Sequence, residues 1–258
     1  MNLKIADIPD DVDVFAIGDV HGRADLLEAL LGYIELGKDL GVDDPIAIVF
    51  LGDLIDRGPD SRKAVELALS AVERHPGSAI IMGNHEEFMR DVIWGGTPGY
   101  AWDSWYHEGG AKTLRSFGVE SRIPVSEIAE GLGKDALVRR LFDTVVDLAQ
   151  DHRRIYAHAG IQPHVPLEEQ RSFDIRWIRD EFLFSRADHG RLVVHGHTIT
   201  RSELPEVRSN RIALDVGSFA TGKLAAARFG RDGRTHFFMA EAAEGCIRIG
   251  PVDPAMGA

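Results

Sequence analysis

Apolar and polar positions follow two different periods along the first third of the chain. Short apolar runs at Val14–Ile17, Ile46–Leu51 and Ala79–Met82 predict buried strands. The segments between them, Arg23–Leu40 and Ser61–Arg74, repeat apolar residues at the spacing of a helix. Strands and helices in alternation predict a largely parallel sheet that is covered by helices.

The middle of the chain, from about residue 86 to 150, has a different pattern. It is helix-like and contains Trp94, Trp102 and Trp105. We interpret this segment as a helical cap inserted over the sheet. The tryptophans either line a substrate groove or pack the cap against the sheet, and the sequence leaves both interpretations open.

The last third of the chain predicts further short strands. Arg154–Ala157 and Leu192–Val194 are apolar runs of strand length. Beyond them, Ile212–Val216, Leu224–Phe229 and Thr235–Met239 are separated by turns that contain glycine. This closing pattern predicts a second sheet with antiparallel pairs.

Composition and charge narrow the classes of partner. The 258 residues are 44% hydrophobic and carry a net charge of −12, so most of the surface repels nucleic acid and anionic membranes. No apolar run approaches the ~20 residues that span a bilayer, and no secretion signal is evident. Cys246 is the only cysteine, which excludes an intrachain disulfide and fits a reducing compartment. We therefore predict a single domain over residues 1–258, in the cytoplasm, without a nucleic-acid or membrane partner; no oligomeric state is predicted.

Metal-binding residue types follow five of the predicted strands directly. The motifs are Gly-Asp-Val-His-Gly at 18–22, Gly-Asp-Leu-Ile-Asp-Arg-Gly at 52–58, Gly-Asn-His-Glu at 83–86, His-Ala-Gly at 158–160 and His-Gly-His-Thr at 195–198. Ligands of parallel α/β sheets bind at the carboxyl ends of strands, and aspartate, histidine and asparagine suit divalent metals of mixed nitrogen and oxygen preference. The series therefore predicts a metal site at one edge of the sheet.

This series of motifs resembles the phosphoprotein phosphatase family of calcineurin-like metallophosphoesterases, in particular its bacterial and phage serine/threonine phosphatases. The resemblance implies an α/β fold, an αββα sandwich of two mixed sheets flanked by helices, with two divalent metals at one edge. It implies manganese, with iron or zinc as alternatives. Carried over by position, Asp19 and His21 would bind the first metal, and Asp53 would bridge the two metals. Asn84, His158 and His197 would bind the second metal. His195 is interpreted as a packed or supporting residue and not as a ligand.

The resemblance also implies how a phosphate ester is cleaved. A hydroxide that bridges the metals would attack phosphorus. Arg57 and Arg179 would bind the phosphoryl oxygens, with Arg176 as a competitor for the second role. His85, oriented by Asp56, would give a proton to the leaving group. The alternatives are a loop salt bridge between Asp56 and Arg57 and, for His85, a role as a third ligand or as a helix-start residue.

Three functions remain open at this point. The first is a phosphomonoesterase acting on phosphoserine and phosphothreonine, with phosphotyrosine as a further substrate, so that the partner is a phosphorylated protein or a small phosphate ester. The second is a dinucleoside polyphosphate hydrolase, because that sister group shares Arg-Gly-Pro-Asp-Ser, found here at 57–61. The third is an inactive, metal-stabilised binding module. Asp56 and Glu86 favour the first, because the sister group tends to depart at these positions.

Overall fold

The computed structural model describes residues 3–37, 45–95 and 98–257. The strands are, in chain order, β1 (Ile5–Asp7), β2 (Asp13–Ile17), β3 (Ile46–Phe50), β4 (Ala79–Ile80), β5 (Leu148–Gln150), β6 (Arg154–Ala157), β7 (Leu192–His195), β8 (Glu206–Val207), β9 (Arg211–Ala213), β10 (Lys223–Phe229), β11 (Thr235–Ala243), β12 (Cys246–Pro251) and β13 (Ala255–Met256). The helices are α1 (Ala24–Leu36), α2 (Ser61–Arg74), α3 (Asn84–Trp94), α4 (Pro98–Trp105), α5 (Ala111–Ser116), α6 (Val125–Lys134), α7 (Ala136–Thr144), α8 (Ser172–Trp177), α9 (Asp180–Leu183) and α10 (Ser218–Thr221).

A six-stranded sheet in the order β12-β11-β10-β2-β3-β4 contains the first three predicted strands. β2, β3 and β4 are parallel, as predicted. Of the three C-terminal strands that were predicted to build a second sheet, β9 lies in that sheet; the prediction is wrong for β10 and β11, because β10 pairs antiparallel with β2 and continues the first sheet. β2 is buried on both faces, so its free hydrogen-bonding edge needs a partner strand, and β10 supplies it.

The second sheet has the order β1-β5-β6-β7-β9-β8-β13. Its centre, β6, β7 and β9, is parallel. β5 pairs antiparallel with β6, and β8 pairs antiparallel with β9, so this sheet is mixed too. The strands that the sequence did not predict here have two or three residues each, which is too short for a periodic pattern.

Alternate residues of the central strands face different apolar layers. In β2, Val14 and Ala16 pack between the two sheets, whereas Phe15 and Ile17 face the helices beside the first sheet. Helices α8 and α9 cover the outer face of the second sheet, where Phe182 is fully buried. The order helix, sheet, sheet, helix confirms the predicted αββα sandwich.

The helical predictions agree with the structure where it describes the chain. α2 has the predicted bounds, and α1 ends at Leu36, while the predicted end at Leu40 lies outside the described residues. α3 to α7 occupy the predicted cap, although β5 also lies inside its predicted range. No described helix is both long and apolar enough to cross a membrane. The single-domain assignment stays a prediction.

Candidate metal centre

The carboxyl ends of strands from both sheets meet at one edge of the sandwich, and the predicted ligands gather there. Asp53, after β3, lies between histidines from different strands. Its Oδ2 is 3.6 Å from His21 Nε2 and its Oδ1 is 3.4 Å from His158 Nε2. All three side chains are buried. The aspartate that was predicted as the bridge is therefore at the centre of the cluster.

Asn84 joins the two histidines of the second sheet to this centre. Its Oδ1 lies 2.8 Å from His158 Nε2 and 2.9 Å from His197 Nδ1. The backbone N–H of His197 donates to both carboxylate oxygens of Asp19, at 3.2 and 3.0 Å. The structure thus brings all six predicted ligand residues into one buried cluster.

Two glycines of the motifs allow the carboxylates to approach the backbone. A Cβ at Gly83 would lie 2.1 Å from Asp53 Oδ1, and one at Gly196 would lie 2.0 Å from Asp19 Oδ1. Both distances are far inside van der Waals contact, so any side chain there would displace a carboxylate.

Backbone strain is concentrated in the same loops. His21, Asp53, Asp56, Arg57 and His197 all have positive φ, between 46° and 72°. This left-handed region disfavours residues with a side chain and costs of order 1–3 kcal/mol at a sparsely populated position. Such strain clusters at sites where side-chain direction matters more than local stability.

The donor set fits divalent cations. His21 and His158 donate their Nδ1–H to the carbonyls of Ile55 and Leu51, at 2.9 and 2.8 Å, which leaves each Nε2 unprotonated and able to accept a hydrogen bond or bind a metal. The Asn84 amide oxygen therefore faces a second acceptor, His158 Nε2, and a shared cation would stabilise this approach. His197 Nε2 is buried without a hydrogen-bond partner among the described residues.

Buried charge in the cluster also calls for cations. Asp19, Asp53 and Asp215 are buried, and none forms an ion pair with lysine or arginine within the described part of the chain. Burial raises the pKa of Asp19 well above its usual range, and the nearby Asp215 and Asp53 carboxylates raise it further. Burial, opposed by a hydrogen bond from the Gly217 N–H, raises the pKa of Asp215 to about 7. Positive ions would relieve this repulsion.

Most of the histidines at the centre are held neutral. Burial lowers the pKa of His21 to about 3 and of His197 to about 2, and it also lowers the pKa of His158. A histidine must be neutral to bind a metal, so these three rings are prepared as ligands. Burial by itself would raise the pKa of Asp53, but the surrounding histidines, His158 foremost, hold it well below its usual value.

His85 differs from these ligands. Its Nδ1 lies 2.7 Å from Asp56 Oδ2, and its Nε2 lies 3.9 Å from Asp53 Oδ2. Burial opposes a charge on the ring, yet the Asp53 and Asp56 carboxylates prevail and raise the pKa of His85. By distance alone His85 could join His21 and Asp53 as a ligand. A raised pKa instead favours a proton donor, because a ligand has to give up that proton.

The cap fixes Asp56 from the other side. The Trp105 indole N–H donates to both Asp56 oxygens, at 3.1 and 3.0 Å, and the Thr113 hydroxyl donates to Oδ1. Trp105 is fully buried and Trp102 is half-buried beside it, so these two rings pack the cap against the sheet. Trp94 is half exposed and contacts the Phe142 ring. Sequence patterns did not identify the bond from Trp105 to Asp56, since 49 residues separate the two.

The predicted phosphate-binding arginines occupy different surroundings. Arg57 donates from Nη1 to His21 Nε2 at 3.1 Å, and its guanidinium lies 4.9 Å from the centre of the Phe219 ring. Arg179 is exposed, and its positive charge adds to the effect of burial that lowers the pKa of His197 and opposes the effect of burial that raises the pKa of Asp215. Arg176 is buried and pairs with Glu87 and Asp147, which commits it to holding α3 and α8 together.

Two more residues of the motifs are explained by their contacts. His195 is buried, donates from Nδ1 to the Gly196 carbonyl at 3.0 Å and packs its ring against Phe182. Glu86 accepts backbone N–H bonds from Asp53 and Gly83, each at 2.9 Å, and from Leu54 at 2.8 Å. The sequence signal for Glu86 was its position three residues after Gly83, which is a capping position of α3.

The sequence profile of the calcineurin-like phosphoesterases matches residues 12–216. The chain belongs to the calcineurin-like phosphoesterase family. This membership confirms a phosphoesterase, and thus a hydrolase, with candidate metal ligands. The narrower prediction, a serine/threonine protein phosphatase, stays a prediction.

Relatives of this phosphoesterase carry names from the second predicted function. A symmetrical bis(5'-nucleosyl)-tetraphosphatase of Neisseria meningitidis is 30% identical over 153 residues, 58% of this chain and 44% of that protein. The asymmetrical bis(5'-nucleosyl)-tetraphosphatase PrpE of Anoxybacillus flavithermus is 24% identical over 83% of this chain and 89% of that protein. The chain spans less than half the length of the first curated relatives it matches.

Solved structures of phosphoesterases share the fold. A candidate diadenosine tetraphosphatase superposes with a TM-score of 0.60 at 20% identity, covering 96% of this chain and 98% of its own. A serine/threonine phosphatase from Saccharomyces cerevisiae gives 0.59 at 13% identity, covering 94% of this chain and 85% of its own. Both likenesses concern the fold alone, so the fold does not distinguish the two substrate classes.

Glu108 of the cap forms an ion pair with Arg57, the predicted phosphate-binding residue, and would compete with a phosphate for it. Its Oε2 lies 3.0 Å from Arg57 Nη2, and both side chains are partly exposed. An exposed pair contributes up to ~1 kcal/mol, so Glu108→Gln is expected to lower the KM for phosphate substrates about 2- to 5-fold with little change in kcat. Steady-state kinetics on the metal-loaded enzyme measure this.

Asp103→Asn is the matched control for that change. Asp103 is an exposed carboxylate of the same cap and has no ion pair within the described residues, so it removes the same charge without touching Arg57. An unchanged or raised KM in Glu108→Gln would mean that Glu108 does not compete for Arg57.

Proposed function

We propose that this protein is a two-metal hydrolase of dinucleoside polyphosphates. The observation that carries the hydrolase is the buried cluster around Asp53, with histidines from two sheets within 3.6 Å of its carboxylate. The observations that favour the substrate are the names of the relatives and the Arg-Gly-Pro-Asp-Ser sequence at 57–61.

The cluster would hold two cations. One cation would bind Asp19 and His21, and the second would bind Asn84, His158 and His197. Asp53 would lie between the two cations. When bound, the cations polarise the phosphoryl oxygens and lower the pKa of water. Nitrogen and oxygen donors without a thiolate suit manganese, with iron and zinc as alternatives.

The side chains around the cluster complete the chemistry. Arg57 and Arg179 would bind the phosphate oxygens and neutralise their charge. In a protein of net charge −12, these guanidinium groups and the cations are the means of attracting a polyanion. His85 would hold a proton on Nε2, with its Nδ1 bonded to Asp56, and pass it to the leaving oxygen.

The pair of His85 and Asp56 also supports a second candidate, the hydrolysis of phosphoserine and phosphothreonine. A serine or threonine alkoxide is a poor leaving group and needs a proton, whereas a nucleotide leaves as a stabilised phosphate anion. A buried acid held by Asp56, Trp105 and Thr113 is therefore worth more to a protein phosphatase than to a dinucleotide hydrolase.

A direct assay distinguishes these candidates. The manganese-loaded protein is expected to hydrolyse diadenosine tetraphosphate with a kcat/KM at least about tenfold above that for a phosphoserine peptide. Chromatography of the products separates symmetrical cleavage, which gives two ADP, from asymmetrical cleavage, which gives ATP and AMP. Turnover of the phosphopeptide alone would contradict the dinucleotide proposal and favour the second candidate.

The same assay includes p-nitrophenyl phosphate as a general phosphoesterase substrate. Turnover of this ester without the dinucleotide or the peptide would retain the hydrolase and reject both substrate classes. No turnover of any substrate, with metals bound, would contradict the hydrolase and support an inactive binding module.

A further inference from the structure

An aromatic pair, of which one ring is exposed, lies beside the metal centre. The ring of Phe173 is 59% exposed, although large apolar side chains in this protein are mostly buried. It lies nearly parallel to the ring of Trp177, with centroids 6.3 Å apart and planes at 19°. Both rings belong to α8 and are four residues apart, so they lie on the same side of one short helix.

The orientation of Trp177 is fixed by its contacts with α3. Its indole N–H donates to Glu87 Oε2 at 2.7 Å, and Glu87 is held in turn by ion pairs to Arg176 and Arg90. The edge of Phe88 meets the Trp177 ring at 5.0 Å and 76°. A ring that is held on its edge and on one face loses little conformational entropy when a ligand covers the rest.

The pair adjoins the proposed ligand His197. The Trp177 ring is 6.2 Å from the His197 ring, and the Phe173 ring is 6.3 Å from the Trp177 ring. Phe173 therefore lies no further from His197 than these two distances combined, which is comparable with the reach of a nucleotide from its phosphates to its base. Arg179, two residues after Trp177, is exposed on the same segment, where it can meet the phosphates.

We propose that Phe173 and Trp177 form a platform on which a nucleobase of the substrate stacks while its phosphates occupy the metal centre. This rests on the proposed function, because it names how that substrate is recognised. A base has a flat π face whatever its identity, so the platform would select nucleotides without selecting one base. Phe173 supplies the open face, and Trp177 sets its angle.

Binding of two inert ligands tests the platform independently of turnover. One is α,β-methylene-ADP, and the other is methylenediphosphonate, which has the same phosphonates without a nucleoside. Phe173→Ala in the manganese-loaded protein is expected to weaken the first about 5- to 150-fold relative to the second, because stacking on one aromatic ring is worth that much. Isothermal calorimetry measures both dissociation constants.

Three variants separate stacking from general apolar contact. Phe173→Tyr keeps the π face and is expected to retain nucleotide affinity, whereas Phe173→Leu keeps apolar area and is expected to lose most of it. Phe184→Ala is the matched control, since Phe184 is 76% exposed and has no aromatic ring contact within the described residues. It is expected to leave the ratio of the two affinities unchanged.

The outcomes for the platform and for the proposed function are distinct. If the dinucleotide is hydrolysed but Phe173→Ala leaves the affinity ratio unchanged, the platform is wrong and the proposed function stands. If the ratio falls but no dinucleotide is hydrolysed, the platform stands and the proposed substrate is wrong. A larger loss for a phosphopeptide than for the nucleotide analogue would overturn the platform, because it would assign the rings to peptide binding.

Discussion

Replacing Asp53 by asparagine is expected to remove bound metal from both positions and with it nearly all hydrolytic activity. Within the described part of the chain, Asp53 is the one carboxylate that approaches histidine ring nitrogens of both sheets, at 3.6 Å from His21 and 3.4 Å from His158. Loss of a group that merely supports a ligand lowers metal affinity about 10- to 100-fold, so loss of the shared carboxylate should exceed that. Metal analysis after dialysis, set beside kcat for p-nitrophenyl phosphate, measures both effects.

Asp60→Asn is the matched control, because it removes the same charge a few residues further along the loop. Asp60 caps α2 by accepting the Lys63 N–H at 3.0 Å, and asparagine caps a helix equally well. This control is expected to keep both metals. Full metal content in Asp53→Asn would contradict its bridging position.

Replacing His85 by asparagine is expected to lower kcat strongly while the metals remain bound. The size of the loss should depend on the leaving group. For a phosphoserine peptide, whose alkoxide needs a proton, kcat should fall about 10²- to 10⁴-fold. For diadenosine tetraphosphate, whose nucleotide leaves as a stable anion, the loss should be markedly smaller. Parallel measurements of kcat and metal content test both parts.

Two further variants frame the result for His85. Asp56→Asn should resemble His85→Asn, and the double variant should be little worse than either, because the two residues act as one unit. His152→Asn is the control, since His152 is also bonded to an aspartate, Asp10, but at an exposed position. Loss of a metal from His85→Asn would show that His85 is a ligand and not the proton donor.

Local sequence patterns predicted the parts of the fold in which one segment decides its own structure. α2 was predicted with its observed bounds because apolar residues repeat at helical spacing between Ser61 and Arg74. The central strands could be predicted because both faces of each strand are apolar; Phe15 faces one apolar layer and Val49 faces the other. The ligand residues were identifiable because glycine-flanked polar residues directly follow these strands.

The features of the fold that sequence patterns did not predict depend on contacts between distant segments. The pairing of β10 with β2 joins residues more than 200 positions apart, such as Ala227 and Ala16, and no local pattern encodes it. The hydrogen bonds from Trp105 to Asp56 and from Arg57 to Glu108 also join residues about 50 positions apart. The support that the cap gives to Asp56, the partner of His85, therefore became visible only in three dimensions.

Substrate class was the weakest inference from sequence, for a physical reason. Phosphoserine and dinucleotide hydrolysis use the same cations and the same phosphate-binding arginines, so the motifs around Asp53 are common to both. Discrimination has to come from groups that touch the rest of the substrate. The proposed platform of Phe173 and Trp177 would be such a group, but nothing in the spacing of these two residues distinguishes a binding face from an ordinary amphipathic helix.

The metal site lies between the two sheets, so metal binding also affects the stability of the fold. Asp19, Asp53 and Asn84 follow strands of one sheet, whereas His158 and His197 follow strands of the other. Neither layer alone holds a complete ligand set, so tight binding is available only to a chain whose layers have docked. Cations bound between the sheets would therefore link the two layers, and their binding free energy would add to the free energy of unfolding of the sandwich.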